Sequence, residues 1–322
     1  MKRILVTGAL GQIGSELVPA LREAYGEDAV IASDLRAPAS GADVGRFMAL
    51  DCTDARALSE TVREQRVDAL FHLAALLSAV AEKTPQKAYE VNLGGLVSVL
   101  EAAREHRCAV FTPSSIGAFG PSTPRTGTPQ DTIQRPTTMY GVTKVAGELL
   151  CDYYFKRFGV DTRGVRYPGL ISHVSPPGGG TTDYAVDIYY SALERGRYTC
   201  FLSAETQLDM MYMPDAIRAA MELMEADPTR LEHRNAFNIA AVPLTPARLA
   251  ASIAHHLPGF AIDYAVDPAR QAIADSWPRS VDDAAAREEW GWRPEFGLEA
   301  MTADMLEHLS LKLGRPLPAA HG

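Results

Sequence analysis

The sequence predicts an α/β fold: a doubly wound parallel sheet carrying a smaller, discontinuous lobe. Three observations predict it. Short apolar runs alternate with helix-period stretches through the first half of the chain. A glycine-rich turn, Gly8-Ala9-Leu10-Gly11-Gln12-Ile13-Gly14, joins the first apolar run to the first helical stretch. The alternation then weakens after Tyr167 and meets a hard break at Pro176-Pro177-Gly178-Gly179-Gly180.

The elements follow in order. Residues 3–7 form a short apolar run ending in glycine, hence a buried strand. Residues 12–25 carry Ile13, Leu17, Leu21 and Tyr25 at helical spacing. Strands are expected at 30–33 and 47–50, a helix at about 55–65 and a fourth strand at 68–73. One long helix covers about 85–106, with Pro85 tolerated in its first turn. A fifth strand at 108–112, a long helix at 139–157 and a sixth strand at 162–167 complete the regular part. Strand–helix alternation of this kind implies parallel strands joined by crossover helices. Beyond the break lie a helix at 182–195, a helix from Pro214 and a short strand near 237–239. Residues 1–167, with returning segments at about 205–240, read as a nucleotide-binding domain. Residues 168–204 and 241–315 read as a substrate-binding lobe, and 316–322 as a frayed tail.

Composition bounds the function. The chain has 322 residues, 47% hydrophobic and 22% charged, with a net charge of −9. An acidic balance argues against general nucleic-acid binding, which needs a basic face. Met1-Lys2-Arg3 followed by Ile4-Leu5-Val6 resembles the start of a signal peptide, but Gly8, Gly11 and Gly14 interrupt the apolar run. No run of eighteen apolar residues exists, so no membrane span and a cytoplasmic location are expected. Cys52, Cys108, Cys151 and Cys200 are far apart and read as reduced thiols. His72, His173, His255 and His256 show no ligand pattern, so no metal is expected.

Glycines in the first strand–helix turn allow a tight bend and let a phosphate approach the backbone, while the helix start offers N–H groups to a pyrophosphate. The spacing G-x-x-G-x-x-G differs from the simplest Rossmann pattern, G-x-G-x-x-G. Asp34 ends the second strand twenty residues after Gly14. A carboxylate there binds both ribose hydroxyls and repels a 2′-phosphate, which favours NAD over NADP. Arg36 blurs that choice, since an arginine accepts a phosphate. Asp51 and Cys52 follow the third strand and edge the adenine; Leu73, Ala74 and Ala75 follow the fourth, where small side chains let a cofactor lie against the backbone.

Tyr140 and Lys144 stand four apart on one predicted helix and so share a face. A nearby ammonium favours a phenolate, making Tyr140 a base for an alcohol proton. Ser114 and Ser115 end the fifth strand at its carboxyl edge, where such sheets bind ligands, and a serine hydroxyl there holds the substrate oxygen.

This combination resembles the extended short-chain dehydrogenase/reductase family over nearly the whole chain, and implies a Rossmann sheet with NAD as cofactor. By the resemblance, Gln12 and Ile13 belong to the cofactor turn, and Asn92, in Val91-Asn92-Leu93-Gly94-Gly95, supports the cofactor helix. Tyr140 is the general base, Lys144 binds the nicotinamide ribose and Ser115 is the catalytic serine. Members that remove water carry an Asp-Glu pair after the serine; here Ile116-Gly117-Ala118 follows. Sugar-nucleotide epimerases carry Arg-Tyr-Phe-Asn after the sixth strand; here it is Arg166-Tyr167-Pro168-Gly169. A diphosphate wants arginines, and residues 168–194 contain none. The segments 166–172 and 176–186 closely resemble the L-threonine 3-dehydrogenases of that family, which oxidise L-threonine to L-2-amino-3-oxobutyrate. Thr181 and Thr182 read as a helix start offering N–H groups and hydroxyls to a carboxylate. The resemblance adds Ser78, Gly180 and Trp277 to the substrate residues, places Tyr167 and Leu170 near the nicotinamide, and implies a homodimer through the helices at 85–106 and 139–157.

Overall fold

The structure is a computed structural model that describes residues 1–39, 44–178 and 180–317. Residues 318–322 of the expected tail, and Gly179 of the glycine run, lie outside the described residues. Leu317 packs against the nearby apolar core, so the chain is still anchored at a point where fraying was expected.

In the first half the elements are β1 (Ile4–Thr7), α1 (Gly14–Tyr25), β2 (Val30–Asp34), β3 (Phe47–Ala49), α2 (Ala55–Gln65), β4 (Ala69–His72), α3 (Ser78–Lys83), α4 (Pro85–Tyr89), α5 (Gly95–His106), β5 (Ala109–Phe111), β6 (Ser114–Ser115), α6 (Met139–Phe158), β7 (Thr162–Arg163) and β8 (Val165–Tyr167). They build a parallel sheet in the order β3-β2-β1-β4-β5-β7. The reversal of direction between β1 and β4 is the switch point where ligands bind in open α/β sheets. Both faces are covered, as a parallel sheet requires. The period of two along β1 sends Ile4 and Val6 to one core, with Leu17 and Leu21 of α1, and Leu5 to the other, with Leu58, Leu96 and Leu100.

Two expected strands are each split. Pro113 cannot donate to a ladder and separates β5 from β6. Gly164 separates β7 from β8, at a point where a Cβ would stand 2.4 Å from the Thr112 carbonyl oxygen. Past these breaks β6 pairs with β8, opposing Ser114 to Arg166 and Ser115 to Tyr167. The helix expected at 85–106 is also not uniform: a π turn over Glu90–Gly94 carries Asn92 between α4 and α5.

The second half contains β9 (Gly169–Ile171), α7 (Tyr184–Arg195), β10 (Arg197–Cys200), β11 (Leu208–Tyr212), α8 (Met213–Glu225), β12 (Phe237–Asn238), β13 (Val242–Leu244), α9 (Pro246–His256), β14 (Ala261–Tyr264), α10 (Pro268–Ser276), α11 (Ala284–Glu289) and α12 (Leu298–Leu313). β12 joins β8, and α8 packs on the α1 face of the sheet. β9, β11 and β13 form a small mixed sheet, and β10 pairs with β14. A separate core gathers around Tyr184, Tyr189, Tyr212, Leu249, Ile253 and Met305. The helix expected from residue 182 begins at Tyr184. The reason is local: the Asp183 carboxylate accepts from the Gly178 and Gly180 amides at 2.6 and 2.8 Å and holds 181–183 in a turn.

Candidate active site

The glycine turn follows β1 directly. Gly8 has φ +72°, a left-handed conformation, and a Cβ there would lie 2.6 Å from the Ala74 amide nitrogen. A Cβ on Gly14 would lie 2.5 Å from the Gly8 oxygen. These two glycines are therefore required by the protein's own backbone, which also places Ala74, after β4, against the turn. Gly11 differs: its Cβ would meet the Gly8 oxygen alone, at 3.2 Å, so the outer side of the turn is open. Among the described residues no carbonyl takes the Gln12 or Ile13 amides, and α1 begins at the next residue. An open concave turn with amides at a helix start fits a pyrophosphate.

Asp34 is buried at the end of β2, where it accepts from the Leu10 amide at 3.1 Å. Its other oxygen accepts from the Arg36 amide and Nε, at 3.1 and 3.2 Å. Arg36 is thus turned back onto Asp34 while remaining largely exposed. Asp51 spends one oxygen on the amide and hydroxyl of Thr53, which hold its carboxyl below the usual range. Cys52 is buried, its thiol pushed up to about 11 by burial, and its sulfur lies 2.8 Å from where a Gly95 Cβ would stand. Its side chain is packing; only its backbone is left to line a ligand.

Leu73, Ala74 and Ala75 are half-buried and border a cavity that also touches His72, Asn92, Thr143 and Lys144. Asn92 ties this region together. Its amide oxygen accepts from the Leu76 amide at 2.7 Å, and its nitrogen donates to the Leu76 carbonyl and to Thr143 Oγ1, both at 3.1 Å.

The α6 start brings Tyr140 to Ser115. Thr138 caps the helix by accepting from the Gly141 amide at 3.1 Å. Gly141 packs so closely that a Cβ would meet the Gly117 oxygen at 2.3 Å. The point where a Gly117 Cβ would stand lies 3.2 Å from Tyr140 Cε1 and 3.5 Å from Ser115 Oγ. Lys144 Nζ donates to the Pro113 carbonyl at 2.7 Å and lies 5.4 Å from the Tyr140 ring centroid. That carbonyl belongs to the two-residue gap that splits β5 from β6. Among the described residues none hydrogen-bonds the Tyr140 phenol.

The two serines part company. Ser115 Oγ accepts from the Gly117 amide at 3.1 Å and keeps its own proton for another acceptor. Ser114, expected beside it in catalysis, turns inward and donates to Glu148. Glu148 also accepts from Gln134 and makes a two-point pair with Arg166, at 3.1 and 2.9 Å. Arg166 in turn donates to the Gln130 carbonyl and to Asn238. Sequence reasoning missed this network. Its signal was present: Tyr140, Lys144 and Glu148 recur every four residues on one helix face. His72, also missed as a site neighbour, is buried against Thr7 Oγ1 at 2.8 Å. Burial, with the Lys144 charge, pushes its imidazole down to about 3, so it stays neutral.

The expected substrate residues are less unified. Ser78 is half-buried at the start of α3, two residues after the Leu76 that Asn92 holds. Gly178 and Gly180 give their amides to Asp183, so those two N–H groups are engaged within the turn that precedes the helix. Thr181 is buried, and the Thr182 methyl lies 2.9 Å from where a Gly169 Cβ would stand, which sets this turn against β9. Trp277 is buried in the second-half core. Tyr167 is buried in the sheet core and donates its phenol to the Ala216 carbonyl at 2.6 Å, so its side chain faces α8. Leu170 is half-buried in β9, paired with Met211.

A parallel sheet with a glycine turn, an acid after β2 and a Ser–Tyr–Lys cluster at its carboxyl edge defines an NAD-dependent oxidoreductase. The sequence model of the NAD dependent epimerase/dehydratase family matches residues 4–240, and the chain belongs to that family. It is 56% identical to an uncharacterized epimerase/dehydratase of Staphylococcus saprophyticus, over 97% of this chain and 98% of that one. The solved L-threonine dehydrogenase of Clostridium difficile is 56% identical, with a TM-score of 0.95 over 97% of this chain and 98% of its own. A monomeric L-threonine 3-dehydrogenase from a metagenome database is 47% identical, with a TM-score of 0.92 over 96% and 99%. No helix among the described residues is long and apolar enough to cross a membrane.

Proposed function

We propose that this chain oxidises the C3 hydroxyl of L-threonine to L-2-amino-3-oxobutyrate. The observation that carries the reading is the convergence of Ser115, Tyr140 and Lys144 around the Gly117 turn. The 8–14 turn, Asp34, the 73–75 segment and Lys144 would hold NAD, which when bound would supply the hydride acceptor. Ser115, whose oxygen is fixed by the Gly117 amide, donates to the substrate oxygen as it becomes a carbonyl. Tyr140 takes the hydroxyl proton at its phenol oxygen. Lys144, anchored on the Pro113 carbonyl, places a positive charge beside the phenol where negative charge develops. Ser114, Glu148 and Arg166 position the strand end that presents Ser115 and do not touch substrate.

Substrate size supports the threonine reading over a sugar nucleotide. Residues 168–194 hold no arginine for a diphosphate, and the buried Arg166 is consumed by Glu148, Gln130 and Asn238. The turn at 180–182, with the Thr181 and Thr182 hydroxyls, is the proposed wall for the amino-acid end, and Ser78 faces it in this reading. The first-half sheet with α8 and β12 serves as the nucleotide domain, and the core around Tyr184 as the substrate lobe.

The same reading includes a homodimer through α4, α5 and α6. Tyr89, Val97, Val142, Leu149 and Tyr153 are exposed there, at 37% or more each. Leu100 is no part of that face, being fully buried against the sheet. A monomeric mass by light scattering at micromolar concentration would remove this part without touching the chemistry.

The deciding assay follows NADH formation with L-threonine, D-threonine and UDP-glucose in parallel. Turnover with L-threonine well above the other two is expected. Preference for UDP-glucose, or equal rates with both enantiomers, rejects the assignment.

A further inference from the structure

One face of α12 meets the segment that follows β9. His173 and His308 stack there with ring centroids 4.1 Å apart and planes within 8°. Asp304 stands one turn before His308, its Oδ1 3.7 Å from His308 Nε2. One ligand-type atom from each of the three residues lies within 4.8 Å of the other two. Sequence spacing concealed this, because His173 and the Asp304–His308 pair are more than a hundred residues apart.

The hydrogen bonds around the cluster fix its chemistry. Tyr212 donates its only hydroxyl proton to Asp304 Oδ2, since a carboxylate has none to give. The Tyr212 oxygen, 2.8 Å from His173 Nδ1, must then accept from that nitrogen. This assigns the proton of His173 to Nδ1 and leaves the lone pair on Nε2 available to a metal. The arrangement also supplies the outer hydrogen bonds that orient metal-binding imidazoles and carboxylates. Lys312 is occupied by the carbonyls of His173 and Val174 and by Tyr190, so it competes for none of the ligand atoms.

We infer that His173, Asp304 and His308 form a binding site for a divalent cation of the zinc class, tying α12 to the segment after β9. Two imidazoles and one carboxylate suit zinc or cobalt, with water completing the shell. Ligand atoms on one tetrahedral cation stand about 3.3 Å apart, given bonds near 2.0 Å. His308, half-exposed at a helix surface, closes that gap by a side-chain rotation. The tie has a mechanical consequence, because Ser172 donates to Glu16 of α1 and Ser175 lies 3.3 Å from Ser15. The bound cation would therefore stiffen the edge of the cofactor turn without entering the reaction.

The test uses untagged, metal-stripped, full-length protein. Zinc is titrated by calorimetry and cobalt by visible absorption, on the native chain, His308→Ala and Asp304→Asn. The expected result is one site per chain, intensified cobalt ligand-field bands, and a zinc-dependent rise in Tm. All three should be lost or weakened at least about tenfold in His308→Ala, an exposed change that leaves the fold intact. Native protein and His308→Ala binding zinc alike, or cobalt giving no bands beyond those of the aqueous ion, would overturn the site.

Discussion

Glu148 and Arg166 meet in a two-point ion pair, both nearly fully buried, directly behind the serine that precedes the candidate catalytic one. Removing one charge of such a pair leaves the other uncompensated, at a cost of about 3–5 kcal/mol. Glu148→Gln should therefore lower unfolding free energy by an amount in that range and reduce kcat through misplacement of Ser115. Adding Arg166→Met should restore part of the loss. Chemical denaturation of the single and double variants checks this; strictly additive losses would show that the pair does not act as a unit.

Tyr140→Phe keeps the ring that packs on Gly117 and removes the oxygen. Turnover should fall by a factor of about 10² or more, while NAD affinity changes little. Fluorescence titration and steady-state kinetics separate the two quantities. Near-normal kcat in this variant rejects Tyr140 as base.

Asp34 holds Arg36 through one oxygen and, in the proposed function, binds the ribose. The native chain should prefer NAD over NADP in kcat/KM. Asp34→Ser removes the repelling carboxylate and frees the Arg36 guanidinium, so the preference should shrink by about tenfold or more. An unchanged ratio would place cofactor choice elsewhere.

Asp209 on β11 is buried, with the Val281 amide as its partner at 2.8 Å. Burial pushes its carboxyl up to about 6, despite that hydrogen bond and aided by Asp283. The folded chain then holds a proton between about pH 4 and 6 that the unfolded chain releases. Stability from this group is greatest below pH 4 and declines as pH rises through 6. Asp209→Asn should stabilise the protein at pH 8, on the order of 2 kcal/mol, with the gain vanishing near pH 4. Thermal denaturation of both proteins across that range is the measurement. A gain independent of pH would point to packing instead.

Most elements could be read from period and punctuation, because the strands of a doubly covered sheet are uniformly apolar and the helices between them are not. The break at Gly164 could not, because it arises from the three-dimensional approach of the Thr112 carbonyl; Pro113, which has no amide to give, marks its own break in the sequence. The later start of α7 has a similar origin. Thr182 is a fair helix opener, but the Asp183 carboxylate bends back to the glycines before it. Of the candidate site, Tyr140 and Lys144 were legible from spacing, while Ser115 was told from Ser114 only by the family resemblance. Glu148 shared that spacing but became meaningful only with Arg166, whose strand is brought alongside by the sheet.

Asn92 links the segment after β4 to α6 through three hydrogen bonds, from a turn where the helix widens. The backbone after β4 and the helix that carries Tyr140 are therefore one mechanical body. On the proposed function, a cofactor settling against Ala74 and Ala75 should suppress opening of the helix that carries Tyr140 as well, even where it makes no contact there. In amide hydrogen exchange, residues 73–77 and the first turns of α6 should slow together on cofactor binding. Asn92→Ala should uncouple them, leaving the first protected and the second exchanging as it does without cofactor.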